Sequence, residues 1–271
     1  KIGSAVSIPI ACAIVLYFQD YRILFWATLL PYVVGLINVA LYPRALDAER
    51  DGDVSIRKVM RQSFKVLRQC VLFKPLRRLL CESMAFEGVF KANKDYIQVM
   101  VLALALSLPA FMDSEETQRT AILVGGIYVI LHGLSAVASR YSQRFTEWVG
   151  NENRAARRMW YGNGVMYGAM AVSLYYELYA CAVCLFIVVH VLQNIWRPLI
   201  ITRFDSAGTD DDGATLLSVE SQARSFACML LAPLIGVGID MATAYEVGGA
   251  HWPLAAIGLL SSVWILLWFR E

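Results

Sequence analysis

Residues 79–108 read LLCESMAFEGVFKANKDYIQVMVLALALSL. Wound as one continuous α-helix at about 100° per residue, Ser83, Glu87, Lys91, Lys94 and Gln98 fall within an arc of about 80°. Asp95 sits on the shoulder of that arc, and Leu, Met, Phe, Val and Tyr occupy the other faces. A charged side chain near the centre of a bilayer costs about 2.5–3.5 kcal/mol on insertion scales. Four of them facing lipid would cost roughly 10–14 kcal/mol, comparable to the whole stability of a typical domain. If this helix crosses a membrane, its polar stripe therefore faces protein or a water-filled cavity. Three readings stay open. The stripe lines a solute path. Alternatively, Glu87–Lys91 and Lys91–Asp95 neutralise each other at i,i+4. In the third reading, 79–95 is a cytosolic helix and only 96–112 crosses.

The rest of the chain favours a membrane setting. It has 271 residues, of which 58% are hydrophobic and 17% charged. Soluble domains run near 45–50% apolar and about 25% charged. Mean hydropathy is +0.53. Apolar residues come in blocks of membrane-span length, and eight spans are expected: 2–18, 22–43, 79–108, 119–139, 159–176, 179–203, 214–240 and 252–269. Hydrocarbon leaves no water to satisfy backbone groups, so spans of this kind are helices. The predicted fold class is an all-α membrane protein, a polytopic helical bundle. The chain starts at Lys1 inside an apolar segment with no signal-peptide pattern, which points to a piece of a longer protein.

Charge sorts the connections. Segment 44–78 carries ten Lys/Arg, and 140–158 carries Arg140, Arg144, Arg154, Arg157 and Arg158. Arg203 and Arg270 stand just beyond two span ends, whereas the alternate connections hold only Arg22 and Arg119. Basic connections stay cytoplasmic, which puts both ends of the chain in the cytoplasm and the bundle in a bacterial inner membrane. From Val54 to Arg78 there are eight cations and no acid, and Ile56, Val59, Met60, Phe64, Leu67 and Val71 recur at helical spacing. That pattern predicts a basic amphipathic helix on the inner membrane surface. Three units follow: 1–43 with two helices, the linker 44–78, and 79–271 with six helices.

Two further spans carry polar residues. His190, Gln193, Asn194 and Arg197 share one face of 179–203, where His190 could titrate near neutral pH and Arg197 could snorkel to the cytoplasmic end. Asp210, Asp211 and Asp212 precede the next span, where Glu220 either pairs with Arg224 at i,i+4 or meets Arg197. Cys181-x-x-Cys184 lies inside an apolar run with no second pair, and the six cysteines read as apolar fillers. The sequence holds no metal-binding histidine cluster, P-loop, G-x-S-x-G or H-E-x-x-H, so no enzyme chemistry, cofactor or metal is expected. Topology accounts for the basic segments without nucleic acid.

Several stretches resemble the major facilitator superfamily: Asp20-Tyr-Arg-Ile-Leu-Phe-Trp26, Arg197-Pro198, Gly213-Ala-Thr-Leu-Leu-Ser218, Ala232-Pro-Leu-Ile-Gly236 and Asp240. An echo of the basic signature between that family's eighth and ninth helices is reduced to Arg140, Arg157 and Arg158. The resemblance implies helices five to twelve of a twelve-helix transporter, with the central loop at 44–78. It further implies a monomeric secondary transporter that moves a small organic solute by alternating access, coupled to protons, with efflux of amphipathic compounds the foremost theme. Glu87, Lys91, Lys94, Asp95 and Gln98 would line the path, with His190, Asn194 and Arg197 as a second wall and Glu220 and Arg224 as a gating pair. Sugar or metabolite uptake is the alternative within transport. A membrane-embedded enzyme and a non-transporting scaffold or sensor are the alternatives outside it.

Overall fold

The computed structural model describes residues 2–18, 20, 22–42, 56–107, 116–208 and 213–268. Every element among them is a helix. In chain order these are α1 (Ile2–Phe18), α2 (Arg22–Ala40), α3 (Ile56–Leu72), α4 (Lys74–Ser83), a π turn (Met84–Gly88), α5 (Val89–Lys94), α6 (Ile97–Ser107), α7 (Glu116–Val149), α8 (Glu152–Tyr175), α9 (Tyr179–Ala207), α10 (Gly213–Ala244) and α11 (Trp252–Trp268). The expectations placed on Asp210, Asp211, Asp212 and Arg270 lie outside the described residues.

Among the described residues, four helices are long and apolar enough to cross a membrane: Arg22–Ala40, Ile122–Val149, Tyr179–Ala207 and Gly213–Ala244. At about 1.5 Å per residue, the 29 residues of α9 extend roughly 43 Å, more than the hydrocarbon thickness of about 30 Å. The other expected spans differ in kind. Helix α11 is apolar but has only 17 residues, and α8 opens with Glu152, Arg154, Arg157 and Arg158. The expected single helix 79–108 is divided by the π turn and by a turn at Asp95–Tyr96. Length and composition thus support four of the eight spans outright.

The connection expected at 140–158 is helical almost throughout. Helix α7 runs to Val149 and α8 begins at Glu152. Gly150 turns the chain with φ +82°, a conformation that costs glycine little, and Asn151 caps α8 by accepting from the Asn153 N–H at 2.8 Å. The cations are held on these helix ends. Arg144 sits 5.3 Å above the Tyr141 ring and Arg158 sits 5.2 Å above Trp148.

Helix α3 has three faces. Val66 and Cys70 are buried against the bundle. Met60, Phe64, Leu67 and Val71 form an exposed apolar line within roughly 60° of arc. Arg57, Arg61, Lys65 and Arg68 are exposed on the flank beside that line. The helix is thus amphipathic, with one face on protein, one exposed apolar line and one exposed basic flank. Burial pushes the Cys70 thiol above its usual range, so it is not a reactive thiolate.

Close packing joins α8 to α11 and α9. Asn163 Nδ2 donates to Ser262 Oγ at 2.9 Å, and Ser262 returns its own hydrogen to the Gly258 carbonyl at 2.8 Å. Gly258 lies flat against the buried ring of Tyr167, so the two backbones approach as small-residue interfaces allow. Phe86, from the π turn, stacks on Trp196 of α9 at 4.5 Å and meets Trp160 of α8 edge-on at 5.1 Å. That aromatic trio is buried and pins the π turn between α8 and α9.

Gly258→Ala should therefore lower stability by about 1–3 kcal/mol, because the new methyl falls within the Tyr167 ring. Gly133→Ala, in open space on α7, should be neutral or gain up to about 1 kcal/mol. Thermal unfolding of both variants in detergent checks the pair.

Candidate functional site

The polar stripe is organised by the π turn. In a regular α-helix Glu82 and Glu87 point about 140° apart, so strict α periodicity leaves Glu82 off the stripe. A π turn closes i→i+5 and inserts one extra residue per turn. Residues five apart then stack, and Glu82 and Glu87 both turn into the bundle, at 0% and 3% exposed. Gly88 permits the close approach of α10 at this level. A Cβ there would lie 2.7 Å from the Ala227 Cβ and 3.4 Å from the Arg224 carbonyl.

Two carboxylates and two guanidiniums meet at the π turn. Arg197 Nη1 donates to Glu87 Oε1 at 3.1 Å and to Glu220 Oε1 at 2.8 Å. Arg224 Nη1 donates to Glu87 Oε2, and Arg224 Nε lies 2.8 Å from Glu220 Oε1. Ser83 Oγ adds a further hydrogen bond to Glu220 Oε1. The cluster joins the π turn, α9 and α10, and its charges sum to zero. Its carboxylates are sealed, with side-chain exposure of 2% for Glu87 and 0% for Glu220, while Arg197 and Arg224 remain 29% and 21% exposed. The cluster therefore sits at the edge of an opening. Both alternatives for Glu220 hold together, since it meets Arg197 and Arg224 at once. Arg197 points inward and does not snorkel.

Lys91 extends the site along α10 by donating to Ser225 Oγ at 3.1 Å. The i,i+4 pairs expected of Glu87, Lys91 and Asp95 are replaced. Glu87 is taken by the two arginines, Lys91 by Ser225, and Asp95 is the C-cap residue where α5 ends. Lys94 and Asp95 are exposed. Gln98 lies beyond the break, where its Nε2 donates to the Tyr128 hydroxyl at 3.4 Å. Both line a cavity of about 560 Å³ with an otherwise mainly apolar wall from α1, α6 and α7, including Cys12 and Leu102.

The expected second wall is split. Arg197 joins the cluster, whereas His190 faces α7 with Nε2 2.6 Å from Ser135 Oγ. Ser135 Oγ also lies 2.7 Å from the Leu131 carbonyl, one turn back on α7. Asn194 Nδ2 bonds back to the His190 carbonyl at 2.8 Å. Arg197 and His190 share a face of α9 but stand seven residues apart, about 10 Å along its axis, and meet different helices at the two levels.

A second buried pair escapes sequence reading. Glu82 accepts from Arg203 Nη1 at 2.5 Å and Nη2 at 3.2 Å, and from Arg78 Nε at 3.3 Å. Arg203, expected as a topology-setting cation at a span end, is 6% exposed and held bidentately. The one signal in the sequence was the five-residue spacing of Glu82 and Glu87. Among the described residues, no three His, Cys, Asp or Glu side chains come together as a metal site requires. Compared with protein-family models, curated proteins and solved structures, the chain has no match.

Removing one member of a buried ion pair strands the other charge at a cost of about 3–5 kcal/mol. Arg197→Met should destabilise the protein by about that amount, and Arg197→Met with Glu220→Gln should recover a large part of it by restoring neutrality. A double-mutant cycle on thermal unfolding measures the recovery.

Proposed function

We propose that this chain belongs to a secondary transporter of the major facilitator type, which moves a small organic solute by alternating access. The observation that carries the reading is the neutral four-charge cluster, with sealed carboxylates and partly exposed guanidiniums, joining the π turn, α9 and α10. Ionisable groups within spans are expensive and mark solute or proton paths. Lys91 and Lys94 continue the exposed polar face, which in a bilayer has to meet water. The apolar cavity beside Gln98 and Tyr128 has a volume within the common range for small ligands, and its wall suits an amphipathic solute better than a sugar.

Protons provide a coupling ion of the right energy. Protonating Glu87 or Glu220 removes one negative charge and leaves two guanidiniums facing one carboxylate. The stranded charge costs about 3–5 kcal/mol. Moving a two-state equilibrium from 1:99 to 99:1 takes about 5.5 kcal/mol. A single protonation is thus of the size needed to bias the inward or outward state. In this reading all eight apolar segments cross an inner membrane, with both ends of the chain cytoplasmic and the bundle monomeric.

The test is solute flux in vesicles carrying the full-length protein, with and without an imposed pH gradient. Wild type should show gradient-driven flux. Glu87→Gln should lower it at least tenfold and flatten its pH dependence while the protein stays folded. Unchanged flux would remove Glu87 from the path. A folded wild type with no flux of any amphipathic or sugar probe would favour the scaffold or sensor reading, and turnover of a probe would favour a membrane enzyme.

A further inference from the structure

A second cavity lies away from the cluster, at an end of the bundle where cationic side chains gather. Its volume is about 740 Å³, and its wall comes from the start of α4, the start of α8 and the end of α9. Lys74, Arg78, Arg154, Arg157 and Arg203 line it, with Glu152 as the carboxylate on the wall. Glu82 stands behind, held by Arg78 and Arg203. Counting both acids, cations still exceed carboxylates by three. Lys74 and Arg154 are exposed and have no charged partner among the described residues. The first turn of α4 carries no side-chain cap, and the first turn of α8 faces the same space, so two positive helix ends add to the side-chain charge.

Gathered like charges raise one another's energy unless an anion lies among them. We propose that this cavity binds a phosphate group at the membrane surface. Arginine forks match phosphate oxygens bidentately, and the lysine supplies a point charge. Two sources carry that group, an anionic phospholipid headgroup and free phosphate. The surroundings favour lipid. Leu72 and Phe73, immediately before Lys74, are exposed apolar residues, and α3 brings its apolar line and its basic flank to the same end. An acyl chain has a surface to follow once its headgroup is seated. The site is independent of the transport reading, since it shares no residue with the four-charge cluster.

The test uses the full-length protein in detergent at fixed ionic strength. Native mass spectrometry follows retention of phosphatidylglycerol against phosphatidylcholine, and thermal shift follows sodium phosphate against sodium chloride. Lys74→Gln with Arg154→Gln removes two exposed cations without touching a described ion pair, and Arg140→Gln with Arg144→Gln serves as a charge-matched control elsewhere. Each cation near an anionic surface contributes on a scale that predicts at least about tenfold weaker phosphatidylglycerol binding by the first variant and no change in the control. Stabilisation by sodium phosphate, lost in the variant and not exceeded by phosphatidylglycerol, would support the same site with free phosphate as its ligand. Equal binding by wild type and variant in both arms would overturn the proposal, as would an equal loss in the control.

Discussion

A carboxylate in a low-dielectric interior is tolerable only when paired, and much of this bundle is arranged to keep three of them paired. Glu82, Glu87 and Glu220 are almost wholly buried, and each is reached by at least one guanidinium. The three carboxylates stand on two segments of the chain, whereas the arginines come mainly from α9 and α10. Neither set is stable in the interior without the other, so the ion pairs tie the π turn, α9 and α10 into one unit. The apolar packing beside them, led by Phe86, Trp160 and Trp196, lowers the local dielectric around the buried carboxylates.

The π turn is the local device on which this depends. A straight α-helix through 79–94 would send Glu82 and Glu87 to different sides, and one of them would be left facing apolar neighbours. The extra residue in Met84–Gly88 lets both acids face inward and places Phe86 against the tryptophans. Glycine at 88 then admits α10 closely enough for Arg224 to reach Glu87. Such turns are frequent at functional sites, where a side chain has to leave the regular helical register.

The two charged regions differ in character. At the cluster the charges cancel and the carboxylates are sealed, an arrangement suited to switching between two pairings. At the cavity near α4 and α8 the cations are in excess and several are exposed, an arrangement suited to holding an anion that stays. Arg203 and Glu82 lie between the two, since their pair packs beneath the cavity and one turn from the cluster. Helix α9 therefore contributes a cation to each region, Arg197 to the cluster and Arg203 to the cavity.

Composition and periodicity alone determined the helical character of the described residues, the apolar segments of membrane-crossing length and the amphipathic pattern of α3. These follow from local properties, hydropathy along a segment and charge near its ends, that no tertiary contact has to supply. The polar stripe on 79–98 was also legible, because charges at helical spacing in an apolar run are conspicuous. Which charges meet was decided only by the tertiary structure. Arg197 and His190 share one helical face, yet about 10 Å of rise along α9 brings them against different segments, the π turn for Arg197 and α7 for His190. Glu82 and Arg203 are 121 residues apart and give no joint signal in sequence. Their pairing rests on a departure from α geometry, whose stability comes from long-range packing and not from the local residues that adopt it.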